Sequence, residues 1–182
     1  GDVYKRQVWR KAAQELGVSY RKFNEYATLS GIQGFQRGLI SQEYFMKVFQ
    51  HLTHHRTPED LWTRFFDPAP IPETIDVIER LKKRFRVVAG TNTVTPHYEV
   101  HTQREDYAIF PKVYASHLIH LAKPDPQFYT HILQAEAVSP VESVFIDDSI
   151  QNVESALKLG IHAIHFTEGK ALQEALSPLL VY

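Results

Sequence analysis

Cysteine is missing from all 182 residues. Its absence excludes disulfides, a thiolate nucleophile and any zinc–thiolate centre, and it fits a reducing compartment. No apolar run approaches the ~20 residues of a membrane span, and no leader with a basic start, an apolar centre and a cleavage site is visible. An excess of either charge is missing as well: 20 Lys and Arg stand against 21 Asp and Glu, for a formal net charge of −1. Without a global basic field there is little to gather nucleic acid or an acidic membrane. A helical nucleic-acid module built on Arg21, Lys22 and Arg37 is disfavoured on that ground. There is no internal repeat and no low-complexity tract. There is also no initiator Met, and Gly1 to Gln7 carry no period of their own, so residues 1–7 are expected to be a non-native scar with native chain missing upstream.

What is present falls into two textures. Residues 8–68 look all-helical. Val8, Ala12, Ala13 and Leu16 share a face ahead of Gly17, and Tyr20, Phe23 and Ala27 suggest a second helix. The glycine-rich run Gly31 to Gly38 is expected to be a loop. Ser41 can cap a helix carrying Tyr44, Phe45, Val48, Phe49 and Leu52. Thr57-Pro58 is expected to open another, with Leu61, Trp62, Phe65 and Phe66 inward. Asp67-Pro68-Ala69-Pro70 breaks the pattern. From there helix and strand alternate: a helix from Pro72 with Ile75, Ile78 and Leu81 inward, a strand at Val87-Val88-Ala89, a helix from Pro96 to about Glu105, and a strand at Val113–Ser116. A helix capped at Asp125-Pro126, the strand Val144-Phe145-Ile146, a helix with Val153, Ala156 and Leu157, the strand Ala163–Phe166 and a last helix complete the series. Such alternation predicts a parallel sheet with helices on both faces.

The most informative residues are Asp147 and Asp148. Three apolar residues in a row predict a fully buried parallel strand. Two carboxylates where it stops call for a positive partner, and a divalent cation with oxygen ligands is the usual one. An Asp-Asp helix cap is the alternative. Two further polar clusters fall at element boundaries: Thr91-Asn92 after a strand, and Lys123 before a helix. Singly, Thr91 reads equally well as a cap, Lys123 as a solvated loop lysine and Asn152 as an exposed helix residue. Jointly they are the parts needed to hold a phosphoryl group beside a cation. His117 and His120 lie around a strand end, His54-His55 and His162 with His165 lack a third metal ligand, and all are expected to be surface imidazoles. Ser41, Ser116 and Ser149 have no histidine and acid in a triad order.

The succession Thr91-Asn92, Lys123-Pro124-Asp125 and Ile146-Asp147-Asp148-Ser149-Ile150-Gln151-Asn152 resembles the haloacid-dehalogenase-like (HAD) hydrolase superfamily, closest to phosphatases with a small helical cap. The resemblance implies an α/β fold, a Rossmann-like parallel core over residues 69–182 with a helical cap over 8–68. It implies Mg²⁺ held by Asp148, with Asp147 either a second ligand or a residue that supports the ligand set, phosphoryl contacts and catalytic roles for Thr91, Asn92 and Lys123, and support from Asn152 and Ser149. The expected function is Mg²⁺-dependent hydrolysis of a small phosphorylated metabolite in the cytoplasm, with neither nucleic acid nor membrane as partner and a homodimer left open. A non-catalytic binding module of the same fold and a haloacid dehalogenase are the alternatives; dehalogenation needs no metal, which the paired aspartates argue against. One departure stands out. The superfamily's nucleophile is the first Asp of an Asp-x-Asp motif on a strand before the cap, and this sequence has no Asp-x-Asp. The central strand and its nucleophile are therefore expected to lie outside the chain. The remaining fold would be destabilised, or its flanking strands would close on each other, and the chain alone would be inactive.

Overall fold

The computed structural model describes residues 2–54, 57–166 and 169–180. They form two compact units: residues 1–68, 91–105 and 115–122 make the first, and residues 69–90, 106–114 and 123–182 the second.

The first unit is helical. Helix α1 (Asp2–Glu15) starts well before the Val8 that periodicity suggested. Val8, Trp9, Ala12 and Ala13 are buried. In α2 (Tyr20–Leu29) the Ser19 side chain accepts the Lys22 N–H, and Phe23 and Ala27 face the core. The run from Gly31 to Gly38, expected as a loop, contains the short helix α3 (Ile32–Gln36), whose Phe35 supplies the burial that repays its turn. Helix α4 (Gln42–Thr53) is capped by Ser41, which accepts the Tyr44 N–H, and it buries Phe45 and Phe49. The helix expected after Thr57-Pro58 is instead a series of turns, with Leu61 N–H donating to Pro58, Arg64 N–H to Asp60 and Phe66 N–H to Thr63. Leu61 and Trp62 still reach the core. Trp62 packs edge-on against Trp9, Phe45 and Phe49 at 5.1–5.6 Å between ring centroids. Such pairs contribute about 0.5–1.5 kcal/mol each beyond their buried area. Helices α6 (Thr95–Gln103) and α7 (Ser116–Ile119) complete this unit.

The second unit is layered. Helix α5 (Pro72–Lys82) buries Val77 and Leu81 and leaves Ile75 exposed, a phase shift from the expected face. Val77 and Leu81 pack with Leu172 and Leu176 of α10 (Gly169–Leu180), and Val87, Ile146, Ile164 and Phe166 lie against them. On the other side, α8 (Pro126–Glu136) buries Phe128 and Tyr129, and α9 (Ile150–Lys158) buries Val153 and Ala156 while Leu157 is exposed. The strands are β1 (Ala89–Thr91), β2 (Val113–Ala115), β3 (Val144–Asp147) and β4 (His162–His165). Two of them sit off their expected positions: β1 begins at Ala89 rather than Val87, and β4 at His162 rather than Ala163.

Among the described residues the sheet is two pairs, β1 with β2 and β3 with β4; β1 and β3 do not pair with each other. Strands β3 and β4 are parallel, with Phe145 opposite Ala163 and Asp147 opposite His165. The expectation that β3 is fully buried fails. Val144 is 43 % exposed and the next three residues are only partly covered, as follows for a strand with one hydrogen-bonded neighbour. No described helix is long and apolar enough to cross a membrane.

Candidate active site

Everything in the polar cluster of the second unit converges on Asp147, the last residue of β3. Its Oδ2 lies 2.6 Å from Lys123 Nζ. Its Oδ1 accepts the Ser149 N–H at 2.8 Å and the Asn152 side-chain N–H at 3.0 Å. Local sequence explains the second pair: β3 stops at Asp147 and α9 starts at Ile150, so the turn aims a free helix-start N–H back at the strand end. Asn152, one turn into α9, reaches the same oxygen. Burial pushes the Asp147 carboxyl up, but the Lys123 ammonium and the Ser149 and Asn152 donors outweigh it and hold it below the ordinary carboxylate range.

Lys123 is equally confined. Its Nζ also donates to the Gly90 carbonyl at 2.9 Å and lies 5.7 Å from the centre of the Phe145 ring. The two side chains are 10 % and 7 % exposed, so this ion pair is a buried one and not a solvated loop lysine. Gly90 allows the approach of α8 from below: a Cβ there would sit 3.1 Å from Phe128 Cε1 and 3.3 Å from Ile132 Cδ1. Two further hydrogen bonds anchor the surroundings, Tyr129 Oη to the Asn152 carbonyl at 2.9 Å and Ser155 Oγ to the Pro124 carbonyl at 2.5 Å. Gly90, Tyr129 and Ser155 were not singled out in the sequence as site residues. Gly90 had a signal there, as a glycine ahead of Thr91 at a strand end, and Tyr129 was expected only to face inward from its helix.

Lys123, Asp147, Ser149 and Asn152 are thus brought together. Asp148 follows as an exposed residue whose backbone carbonyl lies 3.1 Å from His165 Nε2. Thr91 closes β1 and Asn92 follows it, directly after Gly90 along the chain; both belong to the first unit. Among the described residues no three His, Asp or Glu gather in a way that would hold a metal by protein ligands alone. The histidines partly depart from expectation. His117 is buried, its Nδ1 has no hydrogen-bond partner among the described residues, and burial lowers its proton affinity. Its position at a strand end gave no hint of this. His55 lies outside the described residues.

In the first unit Ser116 forms a second hub. Its Oγ accepts the Thr93 N–H at 3.0 Å and lies 2.6 Å from the Gln36 carbonyl and 3.1 Å from the Thr93 carbonyl. Nearby, His120 Nδ1 lies 2.8 Å from the Arg37 carbonyl. The segment from Gln36 to Gly38 is thereby tied to the residues that follow β1 and β2.

Fold and cluster together define an α/β protein whose ionised groups gather at the carboxyl ends of its strands, where such sheets bind ligands. The family follows from the sequence match: a model described as haloacid dehalogenase-like hydrolase covers residues 3–160, and the chain belongs to that family. It is 34 % identical over 84 residues to the sesquiterpene phosphatase astK of Aspergillus oryzae, spanning 44 % of this chain and 42 % of that protein. It is 23 % identical over 173 residues to the D-ribitol-5-phosphate phosphatase of Bacteroides thetaiotaomicron, spanning 87 % and 82 %. The match to astK therefore spans less than half of that phosphatase's length. A solved HAD family enzyme from Bacteroides thetaiotaomicron shares the fold, with a TM-score of 0.76, 22 % identity and coverage of 93 % of this chain and 88 % of the other. The same enzyme in complex with magnesium and inorganic phosphate gives a TM-score of 0.71 at 23 % identity, with 89 % and 84 % covered.

Proposed function

We propose that this chain belongs to a cytoplasmic, Mg²⁺-dependent phosphatase that hydrolyses a small phosphorylated metabolite through an aspartyl-phosphate. The observation that carries the reading is the buried Lys123 ammonium held between the Asp147 carboxylate and the Gly90 carbonyl. A fixed cation at strand ends, oriented by a carboxylate, is what a transferring phosphoryl group needs. Lys123 would neutralise charge on the phosphoryl oxygens and the nucleophile. Thr91 and Asn92 would donate hydrogen bonds to the same group. Asn152 and Ser149 would keep Asp147 oriented.

The donor set suits Mg²⁺ in kind: two adjacent hard carboxylates, no sulfur and, among the described residues, no third protein ligand. Mg²⁺ is commonly held by one or two carboxylates plus waters and substrate phosphate. Asp148 and Asp147 would hold it, and when bound it would supply further neutralisation of phosphoryl charge.

The nucleophile is the remaining part. With no Asp-x-Asp in the sequence, we place it on a strand outside the chain, seated between β1 and β3, where Lys123 now links the two strand ends. The related phosphatases act on a sesquiterpene and on D-ribitol 5-phosphate by name, so isoprenoid and polyol phosphates are the first substrates to try.

The test is hydrolysis of p-nitrophenyl phosphate with Mg²⁺ and with chelator, by the 182-residue chain and by one extended through the upstream coding sequence. Turnover is expected only from the extended chain, lost on chelation and in Asp148→Ala and Lys123→Ala. Metal-dependent turnover by the shorter chain would overturn the placement of the nucleophile. An inactive extended chain carrying Asp-x-Asp would overturn the phosphatase reading.

A further inference from the structure

One face of α9 reaches both halves of the Lys123–Asp147 pair. Asn152 and Ser155 are three residues apart on that helix and so stand side by side on its surface. The Asn152 side chain donates to Asp147 Oδ1 at 3.0 Å. Ser155 Oγ donates to the carbonyl of Pro124, the residue after Lys123, at 2.5 Å. All of these residues belong to the second unit.

The Ser155 contact is not the one a helical serine makes by default. Such a hydroxyl usually turns back to a carbonyl three or four residues earlier on its own helix. Ser30, at the end of α2, does this, donating to the Tyr26 carbonyl at 2.7 Å. Ser155 instead reaches a carbonyl 31 residues away in the chain. Nor does α9 need a serine for its own sake: the residue is half-buried, and alanine is the better helix former.

The other end of the contact shows what it serves. Lys123-Pro124-Asp125-Pro126 contains two prolines, which have no N–H to donate. A segment so poor in donors has to be held through its carbonyls. That of Asp125 receives the Phe128 N–H of α8 at 3.0 Å, and that of Pro124 receives Ser155. Lysine carries its charge on a flexible four-carbon stem, so the place of the Lys123 ammonium depends on where its backbone is fixed. The surroundings are braced from the same helices. The Phe145 ring beneath Lys123 Nζ meets the Tyr129 ring edge-on at 5.1 Å, and the Tyr129 hydroxyl donates to the Asn152 carbonyl at 2.9 Å. Helix α9 is thus tied to α8 at Asn152 and to the backbone beside Lys123 at Ser155.

We propose that Ser155 is a positioning residue for Lys123: by fastening the Pro124 carbonyl to α9 it holds the ammonium against Asp147 and the Gly90 carbonyl. Its effect on turnover rests on the phosphatase reading above; its effect on Lys123 does not.

The experiment compares Ser155→Ala, Ser155→Thr and, as a control at an exposed neighbour on α9, Glu154→Ala. In the 182-residue chain, in chelator, the readout is the proton resonance of the Lys123 ammonium by NMR, assigned by its disappearance in Lys123→Arg. Bonded twice and withdrawn from water, it is expected to be sharp in the unaltered chain. It should be lost to solvent exchange in Ser155→Ala and retained in Ser155→Thr and Glu154→Ala. Melting curves establish that each variant is folded, and Ser155→Cys, with only a weak donor, gives the same reading should the alanine variant not fold. Alanine favours α9 itself, so a serine with a merely structural role would leave the Lys123 resonance in place. In the chain extended through the upstream coding sequence, Ser155→Ala should lower kcat for p-nitrophenyl phosphate about ten- to a hundredfold with KM unchanged, and Ser155→Thr should restore it. A Lys123 resonance that is absent from the unaltered chain, that survives in Ser155→Ala or that vanishes from Ser155→Thr would overturn the proposal. So would an unchanged kcat for Ser155→Ala in an active extended chain. An inactive extended chain would count against the phosphatase reading alone, and the Lys123 resonance would still decide the role of Ser155.

Discussion

At the scale of single residues, the Lys123–Asp147 pair sets the terms. Both side chains are withdrawn from solvent, so removing one leaves the other charged and buried. Lys123→Met should cost about 3–5 kcal/mol, read from urea denaturation, and should raise the Asp147 pKa in an NMR titration. Gly90→Ala should destabilise by about 1–3 kcal/mol through overpacking against Phe128. Acid stability has two identifiable parts. His97, stacked on Phe66 at 3.9 Å with Nε2 2.5 Å from the Trp62 carbonyl, is pushed down to about 4 by burial, against the pull of that hydrogen bond. A folded value below the ordinary ~6.5 means that its contribution is complete above ~6.5 and fades as pH falls toward 4. The Asp147 carboxyl is also lowered, so its contribution is complete above ~4 and is lost on further acidification. Melting temperature against pH should therefore lose its upper acid limb in His97→Gln and its lower limb in Asp147→Asn. Unchanged profiles would contradict these assignments.

At the scale of elements, local chemistry decides more than period does. Ser19 and Ser41 each accept the N–H three residues on, so Ser41→Ala should cost about 1 kcal/mol, measured by chemical denaturation. The turns after Thr57 show the opposite case. Leu61 and Trp62 have helical spacing to Phe65 and Phe66, yet burial of Leu61 and Trp62 is achieved without a helix. A short apolar spacing records which residues must be inside and leaves the backbone route open. The three-residue strands are another example: β1 starts two residues into its apolar run because Lys112 and Val113 are where a partner strand begins.

At the scale of the whole molecule, the alternation of helix and strand after Pro70 was legible, and so were the residues around Lys123, because each falls where one element hands over to the next; the helical region before it was legible in kind but not in its elements, since α3 lies in an expected loop and the helix expected after Thr57 is a series of turns. The buried character of β3 was not. Three apolar residues in sequence say that a strand is covered on both sides when its sheet is complete, and here β3 has β4 alone among the described residues. The parallel register, with His162 N–H on the Ser143 carbonyl and Phe166 N–H on that of Asp147, turns the Phe145 and Asp147 N–H groups toward β4 and the Ile146 N–H the other way. Hydrogen exchange should thus be faster at Ile146 than at Phe145, and an upstream extension that seats a strand there should slow it. Equal exchange in both chains would count against the seat. The buried state of His117 was equally invisible, since its ring packs against Tyr98 of α6 while its backbone meets a segment far away in sequence. That segment has a consequence of its own. Gly38 runs at positive φ so close to His117 that a Cβ would stand 2.2 Å from its carbonyl oxygen, while Leu39 beside it is 65 % exposed. In a saturation library, position 38 should accept glycine alone while 39 tolerates most side chains. Divergence among descendants of this sequence would then proceed by changing what the bend displays and not by reshaping the bend.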